Sequence, residues 1–330
     1  MNDLAEDCAK RGLLYAPDPG EKLACLGGNV STNAGGMRAV KYGATRDYVR
    51  SMTVVLPTGE ITKFGATVSK TSSGYSLLNL MIGSEGTLGI ITELTLKIMP
   101  APKMVASLII PFENLEDCMA TVPKFKMAHL DPQALEFMER EIVLSSERYI
   151  GKSVFPQVID GTTANAYLLV TLDASSEDEL NTLIDEVSEM VLEEGAIDVL
   201  VADTPAKMKD AWAARSSFLE AIMAETKLLD ECDVVVPVNK IPSYLALVNK
   251  TAKECGITIK SFGHAGDGNL HIYQCSNDLE EEEFKSRVDK FFKIIYKEAT
   301  ECGGLVSGEH GIGSGKMSYL VDSCLLYTSP

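Results

Sequence analysis

The stretch Phe262-Gly-His-Ala-Gly-Asp-Gly-Asn-Leu-His-Ile-Tyr273 holds two of the chain's four histidines, and a third follows in Gly308-Glu-His-Gly311. Asp267-Gly268 is a strong type I′ turn signal between two strand-like runs, 257–262 and 270–274, so the segment reads as a β-hairpin. Folding about that turn sets Gly266 against Asn269, Ala265 against Leu270 and His264 against His271. Directly opposed residues share a face, with Cβ atoms about 4.5–5.5 Å apart. Two imidazoles so placed can grip one divalent cation. Glu309, from its glycine-rich loop, would complete a set of two histidines and one carboxylate with an open position, the donor set of a catalytic zinc-type site. His310 is then available as a general base. Taken alone, a cross-strand histidine pair is more often just a pair of half-buried polar residues than a metal site, and sequence order does not bring Glu309 to His264.

Around this stretch the chain has the bulk properties of a water-exposed globular protein. Its 330 residues exceed one ordinary core, which predicts two domains, and 45% hydrophobic with 23% charged residues fits that class. Thirty Lys and Arg against 47 Asp and Glu give a net charge of −17, which argues against nucleic acid and anionic membrane surfaces as partners. An anionic substrate must therefore be gathered by local cations. Eight cysteines are scattered without a Cys-x-x-Cys pair, as expected of free thiols in a reducing cytoplasm. No apolar run approaches the roughly 20 residues of a membrane span, so no direct membrane insertion is expected.

In chain order, Asn2–Gly12 has helical spacing, and Leu26–Gly36 is a glycine- and asparagine-rich stretch that reads as a ligand loop or a tight double turn. Residues 51–57 and 60–64 form a hairpin around Thr58-Gly59, a short apolar helix covers 76–82, and Gly83–Gly89 is a second glycine loop leading into a strand. Pro100-Ala-Pro102 marks a domain boundary. Beyond it strands and helices alternate, predicting an α+β unit with helices on one face of an antiparallel sheet. Within it, one long helix over 205–226 carries Arg215 inward beside Trp212 and Phe218, and a strand spans 233–236. There is no Gly-x-Gly-x-x-Gly between strand and helix, Met317 stands where a P-loop needs Ser or Thr, and neither a His-Glu-x-x-His nor a Gly-x-Ser-x-Gly motif occurs.

Four segments agree in order and spacing with one family: 27–43 (GGNVSTNAGGMRAVKYG), 83–92 (GSEGTLGIIT), 263–271 (GHAGDGNLH) and 307–313 (SGEHGIG). The chain resembles the FAD-linked 2-hydroxyacid dehydrogenases and oxidases of the vanillyl-alcohol-oxidase type, to which the glycolate oxidase and D-lactate dehydrogenase types belong. The resemblance implies residues 1–101 as the C-terminal part of a PCMH-type FAD-binding domain. Residues 102–320 would be a ferredoxin-like α+β substrate, or cap, domain with C-terminal helices, and 321–330 an atypical tail. By resemblance Gly28, Asn33, Gly36 and Gly43, then Gly86, Gly89 and Ile91, with Asn269, would line the FAD. His264, His271 and Glu309 would hold a divalent metal, zinc foremost with iron or manganese close behind, and His310 would be the base. Arg215 would grip the substrate carboxylate.

The implied reaction is oxidation of a small D-2-hydroxy acid to the 2-oxo acid, with metal-assisted proton abstraction and hydride transfer to flavin N5. Glu231-Cys-Asp233 falls where a dicarboxylate-specific relative has a lysine, which favours D-lactate or glycolate over 2-hydroxyglutarate. Residues 230–242 resemble lactate dehydrogenases that pass electrons to an electron-transferring flavoprotein, so that partner or an Fe–S subunit is expected. Family members normally carry well over a hundred residues before the point matching Met1, so the chain reads as a fragment, inactive by itself and a weak FAD binder. Two other readings remain: a non-catalytic or electron-transfer subunit with a vestigial site, and a flavin-free metal hydrolase that leaves both glycine loops unexplained.

Overall fold

The computed structural model describes residues 1–21 and 23–323; the expected tail beyond residue 323 lies outside the described residues. The chain forms two compact units, Met1–Ala101 with Glu309–Gly313, and Pro102–Gly308 with Ser314 onward. Residues 309–313 thus group with the first unit, although their neighbours in sequence belong to the second.

The first unit contains α1 (Asn2–Ala9), β1 (Leu13–Leu14), α2 (Leu26–Thr32), α3 (Ala39–Tyr42), β2 (Val49–Val55), β3 (Ile61–Gly65), α4 (Leu77–Met81), β4 (Ile90–Leu96) and β5 (Met99–Pro100). Its main sheet has the order β3-β2-β4, antiparallel throughout, and β1 pairs with β5. The β2–β3 hairpin turns at Thr58-Gly59 as its sequence predicts, with Gly59 at φ 84°. Val30, Val49, Met52, Val54, Met81 and Ile82 form one small core, and Cys8, Tyr15, Ala16 and Tyr48 a second. The first glycine stretch corrects the expectation of a pure loop. Its opening turn is α2, capped by the Cys25 thiol accepting from the Gly28 amide, and it ends where Asn33 takes the left-handed conformation at φ 54°. Asn is one of the few side-chain-bearing residues that tolerate that region.

The second unit is built on a seven-stranded antiparallel sheet of β6 (Met104–Phe112), β7 (Ala134–Glu139), β10 (Ala166–Ala174), β11 (Leu200–Ala202), β12 (Leu228–Val235), β13 (Thr258–His264) and β14 (Asn269–Ser276), in the order β11-β6-β10-β7-β13-β14-β12. A separate ribbon pairs β8 (Val158–Ile159) with β9 (Thr162–Thr163). The helices are α5 (Leu115–Met127), α6 (Arg140–Ile150), α7 (Glu177–Glu193), α8 (Pro205–Ser216), α9 (Phe218–Glu225), α10 (Ile241–Cys255), α11 (Glu281–Glu301) and α12 (Met317–Ser323). Their starts follow the capping rules: the Asn114, Ser176 and Thr204 side chains accept the backbone N–H three residues on, and Pro205 occupies the first turn of α8.

Three sequence expectations change here. The helices cover both faces of the sheet, because β6 and β10 are apolar and buried at almost every position rather than at alternate ones. Ile109, Met138, Tyr167, Leu169, Phe262 and Tyr273 face α6, α8 and α9, while the intervening Leu108, Ile110, Phe137 and Leu168 are buried on the other side, where α5, α7, α10 and α11 contact the strands. The long helix expected over 205–226 is two helices, parted at Ser217, whose hydroxyl bonds the Ala214 carbonyl. The strand expected at 233–236 begins at Leu228, its first half disguised by Asp230 and Glu231.

Candidate functional site

The histidine hairpin forms β13 and β14, with a register two residues off the expectation. His264 pairs with Asn269, Gly263 with Leu270 and Phe262 with His271, leaving 265–268 as the turn. Asp267 and Gly268 both direct their amides to the His264 carbonyl. Because side chains alternate with period two, a two-residue offset leaves the parity unchanged. His264 and His271 are therefore diagonal rather than opposed, yet still on one face. Their rings meet edge to face with centroids 5.2 Å apart, and the two Nε2 atoms are 3.5 Å apart. Both residues are buried.

Beneath them lies Glu136 of β7, fully buried, whose Oε1 is 2.7 Å from His264 Nδ1. Its Oε2 accepts from Arg215 Nε at 2.9 Å and lies 2.7 Å from Nη2. Burial alone would favour the neutral acid. The charges of His264 and Arg215 and their hydrogen bonds outweigh it and hold the Glu136 pKa below the ordinary value. An ionised carboxylate only accepts, so His264 carries a proton on Nδ1, and in the neutral form of the ring the lone pair is then on Nε2, the atom nearest His271. Arg215, in the last turn of α8, also lies over the Phe262 and Phe218 rings, 4.7 and 5.3 Å from their centroids.

On the other side of His271, β12 presents Glu231 and Asp233, with carboxylate oxygens 3.7 and 4.0 Å from Nδ1. Asp233 is a hub. It takes Asn269 Nδ2 at 2.6 Å, the Ser307 hydroxyl at 2.8 Å, the Gly308 amide at 3.1 Å and Lys316 Nζ at 3.4 Å. Gly308 has no room for a side chain, since a Cβ there would overlap the Asn269 amide. Asn269, expected at the flavin, thus has its Nδ2 on Asp233 and Val234, while its buried Oδ1 has no hydrogen-bond partner among the described residues.

In the first unit the two glycine loops are stitched together. Gly83 and Glu85 donate backbone N–H to the carbonyls of Val30 and Ser31 at the end of α2, and Gly27 lies against Ile91 of β4. The segment 309–313 joins them: a Cβ on Gly35 would stand 3.2 Å from Glu309 Oε2, and the Ile312 and Gly313 amides donate to Glu85 at 2.7 and 2.8 Å. His310 is partly exposed, its Nε2 3.8 Å from Glu309 Oε1. Gly36 (φ 106°) and Gly43 (φ 83°) would press a Cβ into Asp18 and Asp47, so the protein's own packing already requires glycine there. Gly89 is confined in the same way by Val54 and Val55, whereas Gly86 (φ 76°) has open space and Gly28 only the Cys25 thiol nearby.

Two functional features escaped sequence reasoning, Glu136 and the Asp233 hub. The first had a signal: Glu136 is the one charge in the apolar run Ala134-Leu-Glu-Phe-Met138, and a charge buried in such a strand must be paired.

Residues 101–324 match the FAD linked oxidases, C-terminal domain, and residues 1–65 the FAD binding domain. The chain is 69% identical over 323 residues to a D-lactate dehydrogenase of Anaerostipes hadrus, covering 98% of this chain and 68% of that one. It is 37% identical to the glycolate oxidase subunit GlcD of Bacillus subtilis (strain 168), covering 96% and 66%. The chain therefore spans about two thirds of the length of these relatives. Among solved structures it superposes on p-cresol methylhydroxylase with substrate bound at a TM-score of 0.70 and 14% identity, covering 94% of this chain and 67% of that one, a likeness of fold. The chain belongs to the FAD-linked oxidase family, in the class of FAD-dependent hydroxyacid dehydrogenases and oxidases. No helix among the described residues is long and apolar enough to cross a membrane.

Proposed function

We propose that this site oxidises a small D-2-hydroxy acid, D-lactate or glycolate, to its 2-oxo acid, with His264, His271 and Glu309 holding a divalent metal. The observation that carries the reading is the 3.5 Å separation of the two Nε2 atoms. Two metal–nitrogen bonds of about 2.0–2.1 Å at a tetrahedral angle separate their nitrogens by roughly 3.4 Å. Glu309 follows directly on Gly308, whose amide is tied to Asp233 beside His271, which supports it as the third donor. Imidazole and carboxylate donors suit zinc, with iron and manganese as close alternatives. The uncrowded backbone at Gly28 and Gly86 fits the approach of a flat cofactor.

When bound, FAD supplies the two-electron acceptor and the metal a Lewis acid for the α-hydroxyl. The chain's own residues do the rest. Arg215 has Nη1 uncommitted among the described residues, since Nε and Nη2 are on Glu136, and that nitrogen is the anchor for the substrate carboxylate. His310, partly exposed, takes the hydroxyl proton. Glu231 and Asp233 place negative charge beside His271, which disfavours a second carboxylate and so selects monocarboxylates over 2-hydroxyglutarate. Electrons then pass to an electron-transferring flavoprotein or Fe–S subunit; that the relative is itself a glycolate oxidase subunit supports such an assembly. The free thiols of Cys8, Cys118, Cys232 and Cys275 suit the cytoplasm.

The test uses protein extending over the full length of the D-lactate dehydrogenase relative, of which this chain spans 68%, loaded with FAD and zinc and mixed anaerobically with D-lactate, glycolate and D-2-hydroxyglutarate while flavin absorbance is followed. Bleaching by one of the first two but not the third is expected. His310→Ala should slow that bleaching by on the order of 10²-fold or more. No bleaching by any of the three in fully loaded protein would remove the assignment.

A further inference from the structure

Glu136 is completely buried at the centre of a seven-stranded sheet and touches two groups with different tasks, a proposed metal ligand and the proposed substrate anchor. One oxygen faces each. His264 Nδ1 meets Oε1 at 2.7 Å, and Arg215 binds Oε2 through two nitrogens. We propose that Glu136 is a positioning residue that fixes His264 in the tautomer able to bind metal, and that it does so while shared with Arg215. The inference rests on the metal reading above and goes beyond it.

The sharing makes a sharp prediction, because the two partners ask the same thing of residue 136. Arg215 can only donate, and His264 can bind metal through Nε2 only if its Nδ1 also donates. A carboxylate satisfies both with its two acceptor oxygens. A carboxamide has one acceptor and one donor end, so in Glu136→Gln the two partners compete for the single oxygen. The charged guanidinium, with two nitrogens already on that side, holds it. The amide NH2 then faces His264 Nδ1 and requires a lone pair there, which moves the imidazole proton to Nε2, the atom the metal needs. Removing Arg215 ends the competition. In Glu136→Gln/Arg215→Met the amide turns its oxygen to His264, and the metal-binding tautomer returns.

The experiment measures zinc dissociation constants of the full chain by competition with a chromophoric chelator, without reference to turnover. Glu136→Gln should bind zinc about 10–100-fold more weakly than the parent, and Glu136→Gln/Arg215→Met should recover to near the parent value. A residue that merely supported the fold would give no recovery on losing a second side chain. Parent-like zinc binding by Glu136→Gln overturns the proposal, as does a double variant no tighter than the single. Should Glu136→Gln fail to fold, the charge-free pair decides: Glu136→Gln/Arg215→Met must bind zinc more tightly than Glu136→Leu/Arg215→Met, and equal affinities refute the inference. A parent that takes up no zinc overturns the metal reading and this inference together, whereas a zinc-binding parent with indifferent variants overturns the role of Glu136 alone.

Discussion

The second unit builds its site from side chains and the first from backbone. His264, His271 and Glu136 project from central strands whose neighbours are buried on both faces, so each donor atom is held by the pleat beneath it. In the glycine loops of the first unit the shape is set by φ angles of 76–106° at Gly36, Gly43, Gly83 and Gly86, and by amide-to-carbonyl bonds between the loops. The difference lies in what substitution removes. In the sheet it deletes a chemical group and leaves the frame standing; in the loops it disturbs the frame and deletes no group.

The largest effect should come from His271→Ala, which takes away a proposed ligand outright. Zinc affinity should fall by more than the ~100-fold at the upper end of outer-shell changes, while the far-ultraviolet circular dichroism stays that of the parent. Loss of the fold as well would erase the contrast. Next is Gly36→Ala, where a Cβ would overlap the Asp18 carbonyl and stand 2.8 Å from Pro19 Cα on a backbone at φ 106°. Strain of that kind costs about 1–3 kcal/mol, and urea unfolding should place this variant at the upper end. Gly86→Ala has the same sign of φ but open space, so its cost should stay near 1 kcal/mol. Equal losses at the two glycines would show that φ alone, and not the close approach of Asp18, governs the loop.

The smallest effect is a slope. Burial is the main cause that pushes the Glu139 carboxyl up to about 7, with the neighbouring charge of Glu141 adding to it. Since the ordinary value is near 4.5, the folded state binds more protons than the unfolded one between about pH 4.5 and 7, and stability falls as pH rises through that window. Glu139→Gln removes this component, so unfolding midpoints measured across the window should decline less steeply. An unchanged slope would mean that Glu139 ionises as freely in the sheet as in the unfolded chain.

The hairpins, the second glycine loop and the start of α8 were legible in the sequence, because turns and caps are local chemistry: Asp267-Gly268, Thr58-Gly59 and Thr204 with Pro205 each act within a few residues. Register was less legible. The type I′ signal implied a two-residue turn, and the chain uses four, yet parity kept both imidazoles on one face. The break at Ser217 was hidden because α8 and α9 continue one another without Pro or Gly, and the bend is marked only by a hydroxyl bonding back to Ala214. Glu136 was readable as a charge out of place, but its partners lie 79 and 128 residues away, beyond any local pattern. Asp233 reads in the sequence as the start of a strand and as part of an acidic stretch near the substrate, but its bonds to Asn269, Ser307 and Lys316 join residues 36 to 83 positions away, which no local pattern marks.

One strand has a second life outside chemistry. β12 is the last strand of the sheet and pairs along its length with β14, and among the described residues its far side is met by Leu305 at Val235 and by Lys316 Nζ at the Asp233 carbonyl. An open edge on so apolar a sheet invites another chain to add itself as the next strand. Asp230 and the half-buried Glu231 make that strand a poor template, and the opposite edge, β11, is only three residues long. The proposed preference for small monoacids and resistance to edge-to-edge association would then draw on the same acids, and neutralising Asp230 and Glu231 should register as light scattering from concentrated solutions before it registers anywhere else.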